Sequence, residues 1–95
     1  MLIAIDYDYT FTAMPEYWLK VIEMGAAQGI EWVCVTGRTE KPDFDLEPAL
    51  PEHVVVICAG DECKAVVAER NGYRPNIWID DMPGTIDPPI IIYDE

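Results

Sequence analysis

The chain has 95 residues, room for one domain and one core, so any active site must be built on that core. With 51% hydrophobic residues it can bury such a core, which excludes the disordered class. Eighteen acidic residues against six basic ones give a net charge of −12, which disfavours nonspecific nucleic-acid binding and favours metal cations.

The N-terminus "MLIAIDYD" has no basic region, and no apolar run approaches a membrane span. A cytoplasmic protein with no membrane partner is therefore expected. Cys34, Cys58 and Cys63 are odd in number and irregularly spaced, and His53 is the single histidine. Neither a disulfide framework nor a zinc site is expected from them. The strong acidity also admits a different reading, a small protein that imitates DNA towards a basic partner.

In chain order, strand-like runs occur at 2–5 ("LIAI"), 31–35 ("EWVCV"), 53–58 ("HVVVIC"), 77–79 ("IWI") and 90–93 ("IIIY"). They are apolar on both faces, as strands of a covered parallel sheet are. A first helix is predicted from Pro15, burying Trp18, Val21, Ile22, Gly25 and Ala26 and stopping at Gly29. A second is predicted from an N-cap at Asp61, with Cys63, Val66, Val67 and Arg70 on one stripe, to Asn71 and Gly72. Trp32 and Trp78 also lie within apolar patterns and read as core. Segment 37–52 carries Pro42, Pro48 and Pro51 and reads as an exposed irregular loop. Segment 81–89 is too short and turn-rich for an ordinary parallel crossover. The pattern predicts one α/β domain over 1–95, a Rossmann-like, mostly parallel five-stranded sheet with flanking helices. With so few helices for five strands, an exposed sheet face and a homodimer that buries it are also expected.

Polar residues fall at the carboxyl ends of these strands: Asp6 and Asp8 after the first, Thr36 after the second, Asp80 and Asp81 after the fourth. Lys64 opens the helix after the third. In an open α/β sheet those ends border the ligand crevice. Alone, "DDMP" and "TGR" also read as plain turns, and a helical lysine as solvated. Asp6 is harder to dismiss, because an acid directly after a buried strand is costly without a partner. Asp6 and Asp8 would point the same way on an extended chain, so their repulsion calls for a divalent cation, shared protons or a reaction that uses both.

"DYDYT", "VTGR", Lys64 and "WIDDMP" resemble, in order and approximate spacing, the four motifs of the haloacid dehalogenase superfamily of phosphohydrolases. The resemblance spans residues 3–82. It implies a Mg²⁺-dependent phosphatase in which Asp6 is the nucleophile that becomes an aspartyl-phosphate and Asp8 the general acid and base. It further implies Mg²⁺ on the Asp6 carboxylate, the Asp8 carbonyl and Asp80, with Asp81 in support. Thr36 would donate to a phosphoryl oxygen, and Lys64 would offset charge. Tyr7, Thr10, Gly37 and Arg38 flank these positions and are expected on the substrate side. Thr10 is also expected to bond a neighbouring carboxylate, and Arg38 either to contact substrate or to pair with a surface acid. Neither residues 11–14 nor 37–52 can hold a cap domain, so a capless member is implied. Its partner would be a phosphorylated substrate, with nucleic acid expected only as a phosphorylated end. A catalytically silent relative that binds a phosphorylated ligand is the alternative within the family.

Overall fold

The computed structural model describes residues 1–87. Four strands, β1 (Leu2–Ile5), β2 (Glu31–Thr36), β3 (Val55–Cys58) and β4 (Ile77–Ile79), form one all-parallel sheet in the order β3-β2-β1-β4. Helix α1 (Pro15–Ala27) links β1 to β2, and helix α2 (Lys64–Arg70) links β3 to β4. The architecture is α/β as the apolar runs predict, with four strands among the described residues rather than five. The fifth expected strand, 90–93, lies outside the described residues.

From β1 the chain steps outward through β2 to β3, then returns across the sheet to β4 on the other side of β1. Crossovers that run in opposite directions keep one hand only if their helices lie on opposite faces. The two cores obey this. Ile3, Ile5, Trp32, Cys34 and Val56 face α1 with Ile22, whereas Ala4, Val33, Val35 and Ile57 face α2 with Val67 and Ala68. Among the described residues each face therefore carries a helix, α1 on one and α2 on the other.

Pro15 takes the first helical position of α1, as its sequence suggests. The helix ends with Gly29 at φ 83°, its N–H donating to the Ala26 carbonyl and that of Ile30 to the Gly25 carbonyl. This is the glycine-terminated cap that needs a left-handed residue. Ile22 and Gly25 are buried, and Trp18 and Val21 half-buried. Ala26, expected in the buried stripe, is exposed, and Trp32 packs directly over Gly25. Trp32 is core as expected, and Trp18 and Trp78 are half-buried.

Helix α2 starts two residues later than predicted. Asp61 lies in a turn where the Glu62 N–H donates to the Ala59 carbonyl, and Cys63 takes the cap position. The shift changes the buried stripe to Lys64, Val67 and Ala68 and leaves Val66 exposed. Segment 37–52 also departs from a plain exposed loop. It is irregular, but Pro42 and Leu50 are buried and Phe44 packs on the α1-side core. Among the described residues no helix is long and apolar enough to cross a membrane.

Candidate active site

The reversal of direction between β1 and β4 opens a crevice at their carboxyl ends, the place where open α/β sheets bind ligands. Pairing continues one step past β1, the Asp6 N–H donating to the carbonyl of Ile79 at the end of β4 at 2.9 Å. Asp6 and Asp80 thereby become neighbours. Their position on the pleat turns Asp6 to the α2 side, the side of Ala4, where Lys64 begins the helix. Lys64 Nζ donates to Asp6 Oδ1 at 2.8 Å and to Asp80 Oδ2 at 2.7 Å. All three side chains are nearly closed to solvent, at 6%, 7% and 2% exposure.

Thr10 completes the cluster. Its hydroxyl lies 3.2 Å from Asp6 Oδ2 and 3.1 Å from Asp81 Oδ1, and it accepts the Asp81 N–H at 3.2 Å. Thr10 thus does what its expected bond to a neighbouring carboxylate requires. It is buried beneath the carboxylates rather than placed against a substrate. Oxygens of Asp6, Asp80 and Asp81 lie within 4.8 Å of one another. Three carboxylates so placed can hold a metal ion, and the oxygens turned away from Lys64 remain as ligand atoms for one. Desolvation by burial, opposed by the bond from Lys64, holds the Asp6 carboxyl above its usual range. For Lys64 burial pulls downward, but the bonds to Asp6 and Asp80 outweigh it and keep the ammonium charged.

Asp8 also lines this cavity, which encloses about 220 Å³. Its carboxylate stands apart from the trio and accepts two bonds from Arg38, from Nε and Nη2, both at 2.8 Å. Arg38 in turn donates to both oxygens of Glu47 at 2.9 and 2.7 Å. The hydrogen bonds from Arg38 hold the Asp8 carboxyl below its usual range. Arg38 therefore resolves towards pairing with acids, and it lies 5.1 Å above the Tyr7 ring.

Tyr7 and Thr36 do not reach the cavity. Tyr7 is fully buried, stacked on Phe11, and its hydroxyl donates to the Pro48 carbonyl at 2.6 Å. Its expected substrate contact is corrected on that ground, and burial pushes its phenol up. Thr36 pairs in register with Cys58, which packs on the α1-side core, so the pleat turns it away from Asp6. At 1% exposure its hydroxyl accepts the Arg38 N–H at 3.2 Å. Gly37 does line the cavity, beside Gly60. The Cys34 thiol, buried in the sheet, is pushed up to about 12 by desolvation and is inert as a ligand.

Sequence reasoning missed Glu47 as the partner of Arg38, and Tyr9, Glu62 and Met82 on the cavity wall. Two of them carried a signal, since Met82 lies inside "WIDDMP" and Tyr9 inside "DYDYT". Tyr9 takes φ 63°, within a wide turn in which the Phe11 N–H donates to the Asp6 carbonyl and that of Thr12 to the Tyr7 carbonyl. For a residue with a Cβ that conformation costs about 1–2 kcal/mol. Comparison with family models, with curated proteins and with solved structures finds no match for this chain.

Proposed function

We propose that the chain is a Mg²⁺-dependent phosphomonoester hydrolase that works through an aspartyl-phosphate on Asp6, as a small, capless relative of the haloacid dehalogenase superfamily. The observation that carries this reading is the convergence of Asp6, Asp80 and Asp81 around Lys64 at the mouth of the β1–β4 crevice, with Asp8 on the same cavity. Among them the acids supply a nucleophile, a cation site and a proton donor.

In the first step an Asp6 oxygen bonds to phosphorus as the bond to the leaving oxygen breaks, and that oxygen takes a proton from Asp8. In the second, water attacks the phosphorus of the aspartyl-phosphate, gives its proton to Asp8 and releases Asp6 and inorganic phosphate. Lys64 and Thr10 hold the two Asp6 oxygens in place through both steps. Bound Mg²⁺ would offset the negative charge shared by Asp6 and the phosphoryl group.

One observation favours a second reading, a silent relative that binds a phosphorylated ligand without turning it over. The clamp of Arg38 on Asp8 stabilises the ionised acid, which has no proton to give. Hydrolysis of an aryl phosphate with and without Mg²⁺ separates the two. Activity that requires Mg²⁺, is abolished in Asp6→Asn and falls about 10²–10⁴-fold in Asp8→Asn supports the hydrolase. Absence of turnover together with Mg²⁺ binding lost in Asp81→Asn supports the silent relative. Full activity in Asp6→Asn excludes Asp6 as the nucleophile.

A further inference from the structure

Tyr9 is the residue near the site whose identity the fold does not explain. The wide turn after β1 needs a left-handed conformation there, which glycine or asparagine adopts with less strain. At 80% exposure the ring adds nothing to the core. A strained, exposed aromatic residue next to a reactive carboxylate is the arrangement in which strain serves a site.

The cavity wall gives that ring a role. Tyr9 and Met82 are its large apolar side chains, 80% and 61% exposed. Among the described residues that line it, Lys64 is the only cation, and Asp6 and Asp80 already hold it. Glu62 adds another carboxylate to the wall. A leaving group with negative charge of its own would meet these acids, on a chain of net charge −12, with no free cation to receive it. An uncharged ring instead meets the aromatic side chain of Tyr9 and the thioether of Met82, both of which attract aromatic groups.

We infer that Tyr9 and Met82 form a leaving-group subsite, and that the ligands of this cavity are phosphate esters of phenols, free or carried on a tyrosine side chain. The inference rests on the reading of the cavity as a phosphoryl site and adds its substrate class.

Phosphonates test it without requiring turnover. In the presence of Mg²⁺, calorimetry on the full chain should show phenylphosphonate binding about tenfold more tightly than methylphosphonate. Tyr9→Gly relieves the strained turn and so folds at least as stably, yet should reduce the ratio to about twofold or less. Met82→Ala should reduce it in part. Equal binding of the two phosphonates, a ratio unchanged in Tyr9→Gly, or binding of neither overturns the subsite. A Tyr9-dependent ratio in a protein that hydrolyses no phosphomonoester upholds the subsite and removes the hydrolase reading. Turnover of phenyl and alkyl phosphates without any such ratio does the reverse. Phosphonomethyl-phenylalanine, free and within a lysine-flanked peptide, separates the two sources. Tighter binding of the peptide assigns a protein-borne ester, and equal binding a small molecule.

Discussion

Arg38 grips Asp8 through two parallel hydrogen bonds of 2.8 Å, and two further bonds, from Nη1 and Nη2, go to Glu47. The forked guanidinium matches two carboxylates at once, which a lysine in its place would not do. Residues 37–52 are thereby tied to the turn after β1, with the Tyr7 to Pro48 bond as a second fastening. Under the proposed function the acid that must carry a proton is held in its ionised form.

Removal of that grip should show in pH dependence. The folded-state pKa of Asp8 is depressed below 3.8, chiefly by the Arg38 hydrogen bonds. Its contribution to stability is therefore present above about pH 3.8 and lost as pH falls through the folded value. Both side chains are about a third exposed. After discount for solvent screening, a double-mutant cycle of Arg38→Gln with Asp8→Asn at pH 7 should give a coupling of about 0.5–1 kcal/mol. The coupling should vanish in urea titrations below the folded pKa. If Asp8 is the proton donor, Arg38→Gln should also move the basic limb of the pH–rate profile upward, because that limb marks where the acid loses its proton. An unmoved limb counts against that role.

Lys64 should act as the internal counter-ion of the acid cluster. Lys64→Ala leaves the buried carboxylates of Asp6 and Asp80 facing each other without a partner, a loss on the order of 3–5 kcal/mol. The Asp6 pKa is already raised, so the stability linked to its protonation is fully present below its unfolded value and lost as pH rises through the folded one. The variant should therefore gain stability relative to wild type as pH falls. Millimolar Mg²⁺ should raise its melting temperature more than that of wild type, because the ion replaces the missing charge. Equal shifts in both proteins would show that the cation binds elsewhere.

Tyr7→Phe tests whether Tyr7 is structural. The change keeps the buried ring and removes only the bond to the Pro48 carbonyl, which water can reach in the variant because Pro48 is exposed. The expected cost is about 0.5–1 kcal/mol by chemical denaturation. Phenylphosphonate affinity should remain within about twofold of wild type. A larger loss of affinity at unchanged stability would return Tyr7 to the ligand.

Local pattern was enough for much of the fold and for the membership of the acid cluster. Continuous apolar runs mark β1, β2, β3 and β4, because a strand covered on both faces has no reason to alternate. Pro15 and Gly29 bracket α1, since each restricts the backbone in its own immediate neighbourhood. Asp6, Asp8, Asp80 and Asp81 were legible as rim residues because they follow buried strands at the carboxyl end. Which of these groups touch was decided by the tertiary structure alone. Thr36 turns away because its register with Cys58 sets its face, and register is a relation between strands. Arg38 is spent on Asp8 and Glu47, at separations of 30 and 9 residues that no local period encodes. Lys64 reaches Asp6 and Asp80 because α2 starts at Lys64 itself, so its ammonium enters the gap between β1 and β4. Periodicity reports which side of an element is apolar. Hydrogen bonds between charged groups depend on distances of about 3 Å, which exist only after the elements have packed.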